Sequence, residues 1–366
     1  FQKLKDKVDI ILCIYAGARE VLMEFTFTES AVLNRIQRDF PLTEKPFDEM
    51  ARELSIGADT MLQTVKDLKA QGVVRNISAI FNPGKLGFVS SLVAFRIDDA
   101  VIDDAAIIIS AHPGVSHNYR RDHRYNLWFT LSADSEEKLA KTVVILAERA
   151  GAKDQLILKN EKLLKIGLVL SIGDDETSCS EAPPVHHGHE RGREHMFSEK
   201  QKEAVRLLQI DMPLEGRPFK SIITTASGRL SEPDLIEQAR SFRNAGILRR
   251  YAAVLRHRKA GYQSNAMTVW KPRHGSDLNR IIEYFRAEPK ISHLYLRTVY
   301  PGRWEYPLFA MIHTRTDPEL DNVISRLATG SDISDYLVLR SLKEYKKERV
   351  VYYSPAFREW ERQAGL

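Results

Sequence analysis

The chain has 366 residues, 43% hydrophobic and 28% charged, which are globular proportions with enough apolar material for several packed cores. Lys and Arg total 54 against 49 Asp and Glu, a net +5 that demands no nucleic-acid partner and permits a small polyanion held by a local Arg cluster. Cys13 and Cys179 alone exclude a disulfide framework or a Cys-based metal site, and no apolar run reaches the roughly 18 residues of a membrane span. The apolar stretch Val8–Gly17 is too short to span and has no small-residue cleavage site after it, so the expected location is cytoplasmic. The chain opens on Phe1 rather than Met, so its natural start is expected upstream; residues 1–26 receive no assignment.

Taken in order, the first element is an amphipathic helix with Thr28 as expected N-cap and Val32, Leu33 and Ile36 at helical spacing. A second helix is predicted over Phe47–Leu54 and a third over Ala58–Ala70, with Met61, Leu62, Val65 and Leu68 on one face and Gly72 ending it. Two β-like stretches follow, Val73–Phe81 and Phe88–Ile97, around Pro83-Gly84. Three helices and a hairpin predict a winged helix-turn-helix. Next come a helix at Ile102–Ala111, strands at Val115–Arg121 and Asn126–Leu131, a helix at Glu136–Ala150 and a strand at Gln155–Leu164. With Phe88–Ile97 in front, this is the βαββαβ order of a ferredoxin-like domain. Ser171–Met196 is polar, without apolar period, and reads as a linker; its His186, His187, His189 and His195 are read as solvated rather than metal-binding.

Beyond the linker the pattern returns. Gln37-Arg38-Asp39-Phe40-Pro41-Leu42 matches Gln209-Ile210-Asp211-Met212-Pro213-Leu214, and Lys45-Pro46-Phe47 matches Arg217-Pro218-Phe219. Gln71-Gly72-Val73-Val74-Arg75 matches Ala245-Gly246-Ile247-Leu248-Arg249, and Lys85-Leu86-Gly87-Phe88 matches Lys259-Ala260-Gly261-Tyr262. Pro113-Gly114-Val115-Ser116-His117-Asn118-Tyr119 matches Pro289-Lys290-Ile291-Ser292-His293-Leu294-Tyr295. Five ordered matches identify a tandem duplication. The second ferredoxin-like set is Ala266–Trp270, Leu278–Ala287, Ile291–Val299, Leu308–His313, Pro318–Ala328 and Asp335–Arg349. The fold class is therefore α+β, two fused copies of one unit: winged helices over 27–82 and 197–256, ferredoxin-like domains over 83–170 and 257–366, linker 171–196. The pairing suggests a ligand site built from both copies, an internal pseudo-dimer that leaves room for a homo-oligomer.

Chemistry-bearing residues concentrate on one strand of each copy. Residues two apart share a strand face, so His117, Tyr119 and Arg121 point together, as do His293, Tyr295 and Arg297. The same spacing of imidazole, phenol and guanidinium in both copies is the most specific constellation in the chain. The unit resembles the Lrp/AsnC transcription regulators over nearly all of residues 27–366. Within Ser116–Arg121, Tyr125–Thr130 and Leu255-Arg256-His257-Arg258-Lys259 the resemblance narrows to the siroheme decarboxylases, which reuse that scaffold as two subunits or as one fused chain.

That resemblance implies a carboxy-lyase. It would remove the C12 and C18 acetate carboxyls of siroheme to give 12,18-didecarboxysiroheme, for heme d1 or the alternative heme route. Such a flat polyacid needs guanidinium forks and aromatic walls. Arg120, Arg121, Arg297 and Arg303 are the candidate forks, joined by Arg256 and Arg258, and Tyr119, Tyr295, Trp128 and Trp304 the candidate walls. His117 and His293 are the expected proton donors, with His123 and His257 secondary; His257 faces Pro83 in the aligned copy, so the copies are expected to differ. Losing carbon dioxide and gaining a proton is redox-neutral, so no separate cofactor and no protein-bound metal is expected; the siroheme iron arrives with the substrate.

Plainer readings compete. Arg120 and Arg121 could guard a strand edge, Trp128, Tyr125 and Tyr306 could be core, His112 could cap a helix, and Lys343–Arg349 could be a solvated face. The alternative function is a ligand-responsive DNA-binding regulator. Its groove helices would offer only Lys66 and Lys69 in copy one and Arg240 and Arg243 in copy two, so DNA is not favoured as a partner. A heme carrier without catalysis would keep the same pocket.

Overall fold

A computed structural model describes residues 25–166, 197–226, 228–255, 264–314 and 316–366, with 11–16 and 19–24 as backbone only. That backbone is an antiparallel hairpin of β1 (Ile11–Ala16) and β2 (Arg19–Glu24), which the sequence reading left unassigned. The rest forms two compact units, and neither unit is one sequence copy: residues 25–86 gather with 197–255, and 87–166 with 264–366.

The first unit holds both helix-turn-helix heads. In copy one these are α1 (Phe27–Ile36), α2 (Pro46–Glu53) and α3 (Ala58–Ala70). The N-cap of α1 is Thr26, not Thr28, because Glu29 stands three residues on and completes a reciprocal capping box. Pro46 opens α2 at a position that needs no N–H, and Gly72, at φ +72°, turns the chain out of α3. Strand β3 (Val74–Phe81) follows. The hairpin expected between residues 73–81 and 88–97 does not form. Instead β3 pairs antiparallel with the matching strand of copy two, Ile77 opposite Ala253 and Ala79 opposite Tyr251. Two carboxylates favour this exchange: Asp211 Oδ1 accepts the Ile77 N–H and Asp39 Oδ1 the Tyr251 N–H, each at 2.9 Å.

The second unit is a closed barrel. Copy one supplies β4 (Val89–Arg96), α4 (Ile102–Ser110), β5 (Val115–Arg121), β6 (Leu127–Ala133), α5 (Glu136–Arg149) and β7 (Asp154–Ile166). Copy two of the first unit contributes α6 (Glu199–Leu208), α7 (Pro218–Thr225), α8 (Glu232–Asn244) and β8 (Leu248–Leu255) before the chain returns to the barrel. There it adds β9 (Ser264–Trp270), α9 (Leu278–Ala287), β10 (Ile291–Arg297), β11 (Leu308–Thr314), α10 (Asp317–Ser331) and β12 (Tyr336–Lys347). The strand order is β10-β11-β9-β12-β5-β6-β4-β7, closing through β7 on β10. Each copy is thus a four-stranded ferredoxin-like sheet whose two edges are covered by the other copy, which removes exposed edges altogether.

Alternation divides the barrel residues between two faces. Outward, Phe95, Leu127, Phe129 and Leu131 pack under α4 and α5, and Ala266, Leu308, Ala310 and Ile312 under α9 and α10. Inward, Trp128, Trp304, Leu156, Leu158, Met267, Val269, Phe309 and Leu339 form a separate core, with Tyr295 packed against it. A final helix, α11 (Pro355–Ala364), was not anticipated; it sets Trp360 edge-on against the His112 ring at 4.2 Å and Glu361 on Lys138 at 3.1 Å. The expected solvated run 343–349 is solvated at Lys343, Glu344, Glu348 and Arg349 and half-buried at residues 345–347, and it also lines the seam between β12 and β5. Lys343 pairs with Asp103 at 2.9 Å, and Lys346 Nζ donates to the Ser110 carbonyl at 2.7 Å, where the negative end of α4 favours a cation.

Candidate functional site

Both copies carry a β-bulge at the same place. Between Val115 and His117, and between Ile291 and His293, the strand register slips by one residue, so Ser116 and Ser292 are the extra residues. Neighbours on a regular strand point to opposite faces; a bulge re-aims them. Each Ser hydroxyl thereby reaches the ring of the following His: Ser116 Oγ lies 2.9 Å from His117 Nδ1, and Ser292 Oγ 2.7 Å from His293 Nδ1. Each imidazole then stacks on the tyrosine two residues ahead, at 6.2 Å in both copies.

The arginines complete each ladder differently from the expected forks. Arg121 is 6% exposed, and its Nη1 donates to the Leu339 carbonyl at 2.8 Å and Ser341 Oγ at 3.1 Å. Arg297 Nη1 donates to the Leu158 carbonyl at 2.9 Å. Copy one's arginine thus clamps β12, and copy two's clamps β7. Each guanidinium lies near its tyrosine ring, 5.3 Å for Arg121 and 4.5 Å for Arg297. Burial pulls both pKa values down to about 10, so both remain cations at neutral pH. Tyr119 Oη donates to Glu344 at 3.2 Å across the same seam.

Other expected site residues are placed elsewhere. Arg120 points away from the ladder and pairs with Asp99 at 2.9 Å. Arg303 bonds Asp154 and donates to the Gln155 carbonyl at 2.7 Å. Trp128 and Trp304 are corrected from ring walls to core: they are 1% and 2% exposed, pack on each other at 5.3 Å, and donate to the Tyr125 and Tyr306 carbonyls. His123 lies in the turn past the far end of β5 from His117. Its Nδ1 accepts the Tyr125 N–H at 3.1 Å and its pKa is lowered chiefly by burial, which makes it a turn residue. Arg256, His257 and Arg258 lie outside the described residues. A cleft of about 260 Å³, lined by Lys271, Gly302, Arg303, Glu305, Tyr306 and Asp335, contains no histidine; Glu305 and Asp335 already neutralise Lys271, which suits a polyacid poorly. No cluster of metal-ligating side chains exists among the described residues.

An AsnC-like ligand binding domain matches residues 85–165 and again 259–346, and a siroheme decarboxylase NirDL-like HTH domain matches 29–75. A siroheme decarboxylase of Hydrogenobacter thermophilus is 35% identical over 330 residues, 90% of this chain and 96% of that one. The chain belongs to the siroheme decarboxylase family. The crystal structure of the siroheme decarboxylase NirDL superposes with a TM-score of 0.72 at 31% identity, covering 92% of this chain and 97% of that one. A second structure of that enzyme, in complex with an iron-uroporphyrin III analogue, gives 0.71 over 91% and 97%.

Membership of an enzyme family on a regulator scaffold agrees with what the groove helices do here. Lys69 pairs with Asp211 at 2.7 Å, Arg243 with Asp39 at 2.8 Å, and Arg240 Nε donates to the Leu42 carbonyl at 3.0 Å. Three of the four cations a DNA reader would use hold one copy to the other. Sequence reasoning missed Ser116, Ser292 and His313. The first two were legible as the repeated Ser-His pair; His313 has no counterpart in copy one and gave no signal.

Proposed function

We propose that this chain decarboxylates the C12 and C18 acetate side chains of siroheme, giving 12,18-didecarboxysiroheme for heme d1 or alternative heme synthesis. The observation that carries this reading is the doubled Ser–His–Tyr–Arg ladder: one fixed imidazole per copy for a substrate with two reacting carboxylates. Ser116 and Ser292 lie at Nδ1 of His117 and His293, and on this reading Nε2 of each ring is the atom that meets the substrate. Loss of carbon dioxide leaves an electron pair on the ring-attached carbon, and a proton delivered from Nε2 completes the methyl group. The macrocycle itself spreads the developing charge, and the change is redox-neutral, so the only metal the proposal needs is the iron carried by the substrate.

Arg121 and Arg297 support the reading in a different way from forks. Arg121 is a buried cation and Arg297 a half-buried one, and their described hydrogen bonds go to carbonyls and a hydroxyl, so the positive potential near each His–Tyr pair favours an anion. Arg256, His257 and Arg258, which the family resemblance implies as substrate contacts, lie outside the described residues. Anaerobic incubation with siroheme, read by mass spectrometry, should show loss of two molecules of carbon dioxide. Unchanged siroheme after stoichiometric binding would contradict the reading and favour a carrier.

A further inference from the structure

His313 stands on β11 beside the His293 bulge, on the inward face shared with Phe309 and Met311. Its Nδ1 lies 2.8 Å from Asn265 Oδ1, and its Nε2 2.7 Å from Ser292 Oγ. Ser292 Oγ also lies 2.7 Å from His293 Nδ1. The result is an unbroken chain Asn265–His313–Ser292–His293 running through one hydroxyl. Register places Ser132 of copy one where His313 stands, opposite Ser90 as His313 is opposite Asn265. There the two hydroxyls simply bond each other at 2.6 Å. Copy one therefore has the Ser–His pair without the second imidazole.

We infer that His313 is a positioning residue that reprotonates His293 through Ser292, making copy two a relayed proton donor and copy one an unrelayed one. The inference rests on the decarboxylase reading. Asn265 Oδ1 can only accept, which fixes the His313 proton on Nδ1 and leaves Nε2 to carry the second, exchangeable proton. In the loaded state His313 is an imidazolium: Nε2–H donates to Ser292 Oγ, and Ser292 O–H donates to His293 Nδ1. His293 is then neutral, with its proton on Nε2. When Nε2–H passes to the substrate carbanion, Ser292 gives its proton to Nδ1 and takes one from His313 Nε2. His293 ends neutral with its proton on Nδ1, Ser292 ends as the hydroxyl, and His313 ends neutral, so one proton has crossed and no charge is left on His293. Resetting the chain takes a solvent proton on His313 Nε2 and exchange of the His293 proton from Nδ1 to Nε2 through solvent, after which Ser292 O–H again donates to His293 Nδ1. The bulge is what makes the geometry available, because without it Ser292 and His293 would face opposite sides of the sheet.

The test uses the full chain with siroheme under anaerobic conditions. His313→Gln retains an amide that can bond Ser292 but cannot shuttle a proton; Ser292→Ala breaks the chain while leaving His313 in place and guards against misfolding of the first variant. Each is expected to lower kcat by at least about tenfold with KM within about twofold, and to accumulate the product that has lost one carbon dioxide. The double variant should be no slower than either single one, and imidazole added to His313→Ala should restore turnover. Wild-type rates in both His313→Gln and Ser292→Ala would overturn the relay while leaving the decarboxylase intact. Failure of the unmodified enzyme to release carbon dioxide would overturn both.

Discussion

Arg121 and Arg297 carry charge into a place where an apolar side chain would pack as well, and that asks for a functional reason. Replacing a buried charge with an apolar residue of similar volume is often neutral for stability. Arg121→Met is therefore expected to unfold within about 1 kcal/mol of the parent, while KM for siroheme rises several-fold because the anion loses its buried counter-charge. Arg120→Ala, which removes only the exposed pair with Asp99, should change stability by less than about 0.5 kcal/mol and leave KM alone. Denaturant melts and steady-state kinetics on the pair separate a structural from an electrostatic role. His112 offers a second residue-scale check. Its ring is 3% exposed, its Nδ1 accepts the Gly114 N–H at 2.9 Å, and burial, assisted by Lys346, pushes its pKa down to about 3. The unfolded chain binds that proton first, at the ordinary value near 6.5, so the stability from the neutral ring is complete above that pH and is lost as pH falls toward 3. The slope should approach about 1.4 kcal/mol per pH unit in that window. His112→Asn keeps an acceptor for Gly114 and should flatten the slope in melts run at pH 7 and pH 5.

At the scale of the element, the groove helices α3 and α8 are the most informative. Their cations face the opposite copy, and Asp39 and Asp211 each accept a main-chain N–H of the exchanged strand as well as an ion pair. Asp211→Ala is expected to cost about 1–3 kcal/mol, because it strands the Ile77 N–H and the Lys69 ammonium together. A gel shift on the gene's own upstream DNA at moderate salt should show no specific band, in the parent or in the variant. A specific band in the parent would restore the regulator reading. Gly114 tests the turn that leads into β5: a Cβ there would meet the Ser132 carbonyl at 2.2 Å, so Gly114→Ala should lower the melting temperature and slow turnover together. Helix and strand spans were legible because each is set by local periodicity and caps, as in α3, which ends where Gly72 turns it. The partner of β3 was not, because Val74–Phe81 alternates equally well against Phe88–Ile97 or against β8, and the choice is made by Asp39 and Asp211 far along the chain. Nor was α11, whose few apolar residues, Phe357 and Trp360 among them, dock on Phe88 and His112 rather than on one another.

For the molecule as a whole, duplication is what closes the barrel. Copy one alone would expose β5 and β7 as bare edges, with Arg121 lacking Leu339 and with Leu158 lacking Arg297. Residues 27–170 expressed without the second copy are therefore expected to self-associate or precipitate, and co-expression with residues 197–366 should give a soluble one-to-one complex by size-exclusion chromatography. Monomeric, well-folded single copies would refute the interlocked barrel. The tandem repeat and the His-Tyr-Arg spacing were readable from the chain. The inward position of Trp128 and Trp304 was not, since both barrel faces are apolar and the pattern alone does not separate the inner core from the outer one. The measurement that bears most directly on the two Ser–His pairs is single turnover of bound siroheme by His117→Ala, His293→Ala and the double variant, followed by mass. Each single variant is expected to stall or slow one of the two carbon dioxide losses, and the double variant to bind siroheme and release none. Near-parental release of both carbon dioxide molecules by the double variant would contradict the assignment of these imidazoles as the proton donors.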